Sequence, residues 1–131
     1  MSTPQPSVLD LVADAKSRIR NLTTDEVAQQ IATGGVTLID IREPEEVSRD
    51  GVIEGAVHAP RGMIEFYADP ASPYHRAEFS PAGQTILYCA SGGRSALATR
   101  ALQDLGYTDV AHLDGGLKAW TADGRPVTAR D

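Results

Sequence analysis

The amino-acid sequence predicts a single α/β domain with a central, mostly parallel five-stranded sheet and helices on both faces. Three observations lead to this prediction. Short runs of apolar and β-branched residues alternate along the chain with stretches of helical character, which is the pattern of β-α-β units. Glycines and other turn formers stand between the two kinds of segment. The length of 131 residues suits one hydrophobic core and leaves no room for a second.

The N-terminal region is predicted to be a tail at residues 1–6 and a helix at 8–16. Ser7 is the expected N-cap, because a serine hydroxyl accepts a hydrogen bond from the unpaired N–H groups of a first helical turn. Residues 19–22 are predicted to form a short edge strand. The predicted organisation of the chain is a tail and helix at 1–18, the main domain at 19–126 and a C-terminal tail at 127–131.

A second helix is predicted to begin after Thr23 or Thr24, either of which can serve as its cap. Acidic residues follow at once, where they complement the positive end of the helix dipole, and Gly34 is the expected stop. Residues 36–41 are an almost continuous apolar run, which predicts a strand buried on both faces.

The middle of the chain is expected to hold three shorter elements and a loop. Pro44, followed by two glutamates, predicts a helix start, because proline suits the first helical position. Residues 56–59 are predicted to form a short strand, and 62–67 a helix. Residues 68–76 are rich in turn formers and predict an irregular loop.

The last third of the chain repeats the strand-helix alternation. The apolar run at 85–89 predicts the central strand, and residues 95–105 predict a helix that ends at Gly106. Residues 109–113 predict the last strand, and 117–122 predict a short final helix.

The most informative residue is Cys89, the only cysteine of the chain, which stands at the end of the predicted central strand. The loop after it contains Gly92 and Gly93 and leads into a helix. Ligands bind at the carboxyl ends of parallel strands, and a tight loop before a helix directs N–H groups at one spot. A lone cysteine is more often a buried apolar residue, but this position favours a reactive thiolate that acts as a nucleophile.

The charge pattern around this cysteine differs from that of the whole chain. Arg94 and Arg100 are the only charged residues between positions 80 and 103, whereas the chain has a formal net charge of -6. The sequence therefore predicts a locally positive region in an acidic protein. An arginine at the start of a helix opposes the helix dipole, which favours an anionic ligand at this point.

The composition also restricts location and partners. The acidic balance and the absence of a basic run argue against nucleic acid or an anionic membrane as a partner. The sequence has neither a secretory signal pattern nor an apolar stretch of membrane-spanning length, and a single cysteine cannot form an internal disulfide. A cytoplasmic location is therefore expected.

Three stretches of the sequence together resemble the rhodanese domain family, in its single-domain form. Residues 89–95 resemble the family's active-site loop, in which a cysteine is followed by four residues, a basic residue and often serine or threonine. Residues 38–43, with Glu46 and then 51–56, resemble the first signature of the family, and residues 115–120 resemble the second. Val47 and Val52 depart from the first signature, which usually has an aromatic residue and a histidine there.

This resemblance implies a sulfurtransferase. Cys89 would take a sulfur atom from an anionic donor such as thiosulfate, become a persulfide and pass the sulfur to cyanide or a cellular thiol. Arg94 would attract the donor and favour the thiolate, and no metal or organic cofactor would be needed. The resemblance also implies that the sulfur lies against the backbone of the loop residues Ala90, Ser91, Gly92, Gly93 and Ser95.

Two other functions remain as alternatives. The first is a sulfur-relay or sensor module without turnover, which passes its persulfide to a specific partner protein. The second is a cysteine phosphatase or arsenate reductase, which uses the same kind of N–H cradle. Those enzymes have five residues between cysteine and arginine, whereas four stand between Cys89 and Arg94, so the smaller loop favours a single sulfur atom.

The remaining candidates have supporting roles or none. Asp40 and Arg42 are expected to brace the pocket from behind, and Arg61 to lie either at its rim or on the ordinary surface. His58, His75 and His112 have no metal-ligand spacing and no motif that links them to Cys89, so neither a metal site nor a catalytic base is expected. Whether the loop at 68–79 covers the pocket is an open question at this point.

Overall fold

The computed structural model describes residues 5–130, which form six α-helices and five β-strands. In chain order these are α1 (Val8–Lys16), β1 (Arg20–Leu22), α2 (Thr24–Thr33), β2 (Val36–Asp40), α3 (Pro44–Asp50), β3 (Val57–His58), α4 (Ile64–Ala68), β4 (Gln84–Tyr88), α5 (Gly93–Asp104), β5 (Val110–Leu113) and α6 (Gly116–Ala122). A 3-10 turn, Arg61–Met63, leads directly into α4. None of these helices combines the length and the apolar character that a membrane span requires.

The five strands form one sheet in the order β1-β5-β4-β2-β3, and every neighbouring pair is parallel. This confirms the predicted α/β class. Strand β4 occupies the centre, with Asp40 of β2 paired to Tyr88 at the end of β4. The residues that follow β2, β4 and β5 therefore meet at one edge of the sheet, where the site-bearing loops lie.

Alternation of side chains along the central strands produces two hydrophobic cores. Ile39 and Leu87 point to one face, where they pack with residues of α4 and α5. Leu38 and Ile86 point to the other face, where they pack with residues of α2 and α6. The predicted placement of helices on both faces is confirmed, and α1 packs against α5 on the first face.

Two of the predicted helix starts are explained by side-chain caps. The Ser7 hydroxyl accepts a hydrogen bond from the Asp10 N–H at 3.2 Å, which starts α1. Of the two threonines proposed for α2, Thr23 is the cap, because its hydroxyl accepts from the Glu26 N–H at 3.1 Å. Helix α3 begins at Pro44, as predicted.

Two element boundaries differ from the prediction by more than one residue. Helix α5 begins at Gly93, before the predicted start at residue 95, because Gly92 takes a left-handed conformation with φ of 102° and serves as the N-cap. The helix predicted at 62–67 is a 3-10 turn followed by α4, and it extends to Ala68. The loop that follows is irregular, as expected.

Both ends of the described chain contact the main domain. Helix α1 lies on α5, and Thr128 pairs with Val52 through two backbone hydrogen bonds of 2.8 Å. Residues 1–4 of the predicted N-terminal tail lie outside the described residues, and residues 5 and 6 are exposed without secondary structure. The domain boundaries at residues 19 and 126 stay a prediction.

Candidate active site

Cys89 lies directly after the central strand, with its sulfur at the focus of backbone N–H groups. The Gly92 N–H donates to Sγ at 3.2 Å, and the Ser95 N–H donates to it at 3.4 Å. Cys89 is only 1% exposed. The cradle exists because α5 begins at Gly93, so the first free N–H groups of this helix point back at the end of β4. A sulfur with negative charge is stabilised by this arrangement.

The N-terminus of α6 holds the carbonyl side of the same loop. The Leu117 N–H donates to the Cys89 carbonyl at 2.9 Å, and the Lys118 N–H donates to the Ala90 carbonyl at 2.9 Å. A Cβ atom at Gly116 would lie 2.6 Å from both carbonyl oxygens. Glycine is therefore required at this position, because the two backbones approach too closely for a side chain.

Arg94 does not stand as an isolated cation beside the sulfur. Its guanidinium donates to both carboxylate oxygens of Glu46, at 2.8 and 2.9 Å. The hydrogen bonds from Arg94 hold the pKa of Glu46 at about 2, and the carboxylate raises the pKa of Arg94. Arg100 is likewise paired with Asp104 at 3.0 Å. The prediction of a locally positive region is therefore wrong, because Glu46 of α3 neutralises Arg94 and Asp104, four residues further along α5, neutralises Arg100.

Asp40 and Arg42 form a buried ion pair behind the site. The Arg42 Nη2 lies 2.7 Å from the Asp40 Oδ2, and both side chains are at most 1% exposed. Arg42 also donates to the Gly51 carbonyl at 2.6 Å and to the Glu46 carbonyl. The pair thereby fastens the end of β2 to α3, the helix that carries Glu46.

A cleft of about 490 Å³ opens beside the cysteine loop. Its lining consists of Arg42, Glu46, Arg49, Asp50, Ala90, Leu117, Lys118 and Thr121. Ala90 is thus the loop residue that reaches the cleft, whereas Ser91 is exposed and Gly93 is half-buried at the start of α5.

Arg61 and the loop at 68–79, whose positions relative to the pocket the sequence left open, do not line this cleft. Arg61 pairs with Glu65 of α4 at 2.9 Å and is not part of the lining. The loop at 68–79 contributes no residue to the lining either. Its Arg76 donates to the His58 carbonyl at 2.9 Å, and His75 contacts the Tyr67 carbonyl at 3.0 Å.

The sequence did not indicate a link between Cys89 and His112, but the structure shows one. The thiol contacts the Ser95 hydroxyl at 3.5 Å, and that hydroxyl lies 2.8 Å from the His112 Nδ1. His112 is fully buried, and burial lowers its pKa to about 4, so its imidazole is neutral. The only sequence signal for this position is a histidine inside an otherwise apolar strand.

Comparisons with known proteins agree on one family. The Rhodanese-like domain profile matches residues 23–123. A sulfurtransferase of Allochromatium vinosum is 32% identical over 85% of this chain and 96% of its own. The chloroplastic thiosulfate sulfurtransferase 16 of Arabidopsis thaliana is 33% identical over 87% and 98%. A solved structure from Rhodopseudomonas palustris, described as a possible tyrosine phosphatase of unknown function, is 38% identical, covers 98% of both chains and has a TM-score of 0.89.

Proposed function

Because the chain belongs to the rhodanese-like domain family, we propose that it moves sulfane sulfur through a persulfide on Cys89. The donor is a small anionic sulfur compound such as thiosulfate, and the acceptor is cyanide or a cellular thiol. The observation that carries this proposal is the convergence of the Gly92 and Ser95 N–H groups on the Cys89 sulfur. The relatives named as sulfurtransferases support sulfur transfer in general.

The proposed reaction has two half-reactions that share the cysteine. The Cys89 thiolate attacks the outer sulfur of thiosulfate, a new S–S bond forms, and the old S–S bond breaks with its electron pair leaving on sulfite. The acceptor then attacks the outer sulfur of the persulfide, and Cys89 leaves as the thiolate. The chain has no second cysteine to take the sulfur, so the acceptor comes from outside.

The backbone of the loop has the main electrostatic role in this proposal. N–H groups fixed before the reaction stabilise negative charge on sulfur without reorganisation. Arg94 attracts an anionic donor less strongly than an unpaired arginine would, because the Glu46 carboxylate neutralises its charge. Lys118 adds a cationic group to the cleft, whereas Arg49 is paired with Asp50 at 2.9 Å, so we place the incoming anionic donor beside Lys118.

The description of one relative as a possible tyrosine phosphatase makes phosphate transfer the second candidate. Two observations count against it. Only four residues separate Cys89 from Arg94, which makes a smaller ring of amides than phosphate needs. The acids nearest to a general-acid role are already paired, Asp40 with Arg42 and Asp114 with Lys16.

Steady-state assays separate these candidates. The purified protein is expected to convert thiosulfate and cyanide to thiocyanate and sulfite, and to leave an aryl phosphate intact. Cys89→Ser is expected to abolish thiocyanate formation. Hydrolysis of the phosphate without thiocyanate would reject the proposal. Fast sulfur loading followed by transfer to a protein thiol, but not to cyanide, would favour the sulfur-relay alternative.

A further inference from the structure

A chain of four side chains leads from the buried sulfur to the edge of the sheet. The Cys89 thiol lies 3.5 Å from the Ser95 hydroxyl, which lies 2.8 Å from the His112 Nδ1. The His112 Nε2 in turn lies 2.8 Å from the Asn21 Oδ1. Asn21 and His112 are register partners on the parallel strands β1 and β5, so their side chains point to the same face.

The direction of these hydrogen bonds is fixed from the Asn21 end. The Asn21 amide nitrogen donates to the Lys16 carbonyl at 3.0 Å and to the Ile19 carbonyl at 3.3 Å, so Oδ1 faces His112. Since Oδ1 only accepts, the His112 Nε2 carries a proton, and Nδ1 of the neutral imidazole accepts. The Ser95 hydroxyl therefore donates to the His112 Nδ1, its shorter contact, with the Gly92 carbonyl as a second acceptor at 3.4 Å, and its oxygen accepts the thiol proton.

When Cys89 is a thiolate, the Ser95 hydroxyl must donate a hydrogen bond to the sulfur instead of accepting one from it. The sulfur then accepts hydrogen bonds, so the hydroxyl turns its proton from His112 to the sulfur. Its oxygen is then left facing the lone pair on the His112 Nδ1, unless that nitrogen also carries a proton. The imidazole cannot move its proton from Nε2 to Nδ1, because Asn21 is held by two carbonyls. A thiolate that accepts from the Ser95 hydroxyl as well as from the Gly92 and Ser95 N–H groups thus requires both imidazole nitrogens to be protonated.

We propose that His112 retains the proton that Cys89 loses, through Ser95, so that the active thiolate is paired with a buried imidazolium. The S–H bond breaks, the thiol proton moves to the Ser95 oxygen, and the former hydroxyl proton moves to the His112 Nδ1. The transfer is internal, so the network gains no net charge. His112 is a positioning residue, because it acts on the sulfur through Ser95. The inference rests on the proposed use of Cys89 as the sulfur carrier.

The surroundings of His112 link its charge to that of the sulfur. Burial lowers the pKa of His112 to about 4. The charged groups that act on it are Lys16 of α1 and Asp114, which have opposite effects and form an ion pair 3.0 Å long. Arg94 is paired with Glu46, which raises its pKa more than the Cys89 sulfur does. A negative sulfur is therefore the change that supports an imidazolium at this position.

Imidazole ¹⁵N NMR of the reduced wild-type protein, alongside ultraviolet absorbance of the thiolate, tests this inference directly. At neutral pH, the fraction of His112 protonated on both nitrogens is expected to equal the fraction of Cys89 present as thiolate. In Cys89→Ser, His112 is expected to stay neutral down to about pH 4. A thiolate beside a neutral His112, or a thiol that stays protonated at neutral pH, would overturn the inference.

Substitutions supply a second readout. His112→Asn keeps an acceptor for the Ser95 hydroxyl but no basic nitrogen, so the thiolate fraction at neutral pH is expected to fall at least about tenfold. The matched control is His75→Asn, at an exposed histidine on the far loop, which is expected to leave that fraction unchanged. An unchanged or larger thiolate fraction in His112→Asn would show that a neutral His112 only anchors the hydroxyl, which contradicts the inference.

Asn21→Ala keeps the test decisive if His112→Asn does not fold. Asn21 is exposed, and its loss removes the acceptor that stabilises the Nε2 proton, so the thiolate fraction is expected to fall severalfold. No change in Asn21→Ala would count against the inference. Failure of the relay and failure of the proposed function remain distinguishable in the wild-type protein. One sulfur atom gained from thiosulfate, measured by mass, together with a His112 that stays neutral would refute only the relay. No sulfur gained by a protein whose Cys89 is a thiolate would refute the proposed function.

Discussion

The Glu46 side chain connects the chemistry of the loop to the rest of the protein. It lies on α3, lines the cleft and accepts two hydrogen bonds from Arg94. These bonds lower its pKa from the ordinary 4.5 to about 2. A carboxyl group whose pKa is lower in the folded state stabilises the fold above its unfolded pKa, and this contribution is lost as the pH falls through the folded pKa.

This linkage predicts a pH-dependent difference between wild type and Glu46→Gln. Wild type is expected to be the more stable protein above about pH 4.5, and its advantage is expected to shrink as the pH falls toward about 2. Urea unfolding at a series of pH values measures this difference. Other carboxylates titrate in both proteins and cancel in the comparison. A difference that does not change with pH would show that the ion pair contributes no linkage.

At the scale of elements, the contact between α6 and the cysteine loop depends on one glycine. A Cβ atom at Gly116 would lie 2.6 Å from the Cys89 and Ala90 carbonyl oxygens, and its φ is +63°. Gly116→Ala is expected to lower the free energy of unfolding by about 1–2 kcal/mol from the left-handed backbone and by about 2 kcal/mol more from the clash. It is also expected to slow sulfur loading of Cys89, because the loop must shift.

Gly124→Ala is the matched control for this substitution. Gly124 has a similar φ of +76°, but nothing lies within 4 Å of its ideal Cβ position. Gly124→Ala is expected to lower the free energy of unfolding only by the cost of the left-handed backbone, and to keep the wild-type rate of sulfur loading. Equal losses of stability and equal rates in the two variants would show that the α6 contact does not hold the loop.

The buried ion pair between Asp40 and Arg42 joins the end of β2 to α3. Asp40→Asn leaves the Arg42 guanidinium buried without its carboxylate, so we expect a loss of about 3–5 kcal/mol in the free energy of unfolding. The control is Asp14→Asn, which removes the partner of Arg18 from an exposed pair and is expected to cost less than about 1 kcal/mol. Chemical denaturation measures both. A small loss in Asp40→Asn would mean that water or another acid replaces the carboxylate.

The elements themselves were largely predictable because their causes are local. Ser7 and Thr23 cap helices within three residues of themselves, and Pro44 starts α3 by its fixed φ. The start of α5 was missed because Gly92 caps it through a left-handed backbone and not through a side chain. A glycine in the sequence does not by itself predict a left-handed conformation, because glycine can adopt several backbone conformations.

At the scale of the whole molecule, the loop could be predicted and its partners could not. The position of Cys89 between a strand and a helix follows from the apolar run before it and the glycines after it. The partners of Arg94 and His112 lie 48 and 91 residues away, at Glu46 and Asn21. Only the strand order brings these segments together, and no local pattern encodes it.

One of these long-range contacts explains why the predicted positive region was wrong at Arg94, whereas the partner of Arg100 is Asp104, one residue beyond the counted range. The sequence prediction counted only the charges between residues 80 and 103. In the structure, the pairing of β2 with β4 brings Glu46 of α3 next to Arg94. A charge balance taken along the chain describes a site only when no other segment packs against it. Here the cleft is lined by residues of three separate stretches of the chain.

The measurement that tests the central claim most directly is the intact mass of the reduced protein after exposure to thiosulfate, and again after addition of cyanide. The account predicts that one sulfur atom is added to wild type, is absent from Cys89→Ser and is removed by cyanide. A sulfur atom added equally to both proteins, or no added sulfur in a folded wild type, would contradict the claim that Cys89 carries the sulfur of thiosulfate.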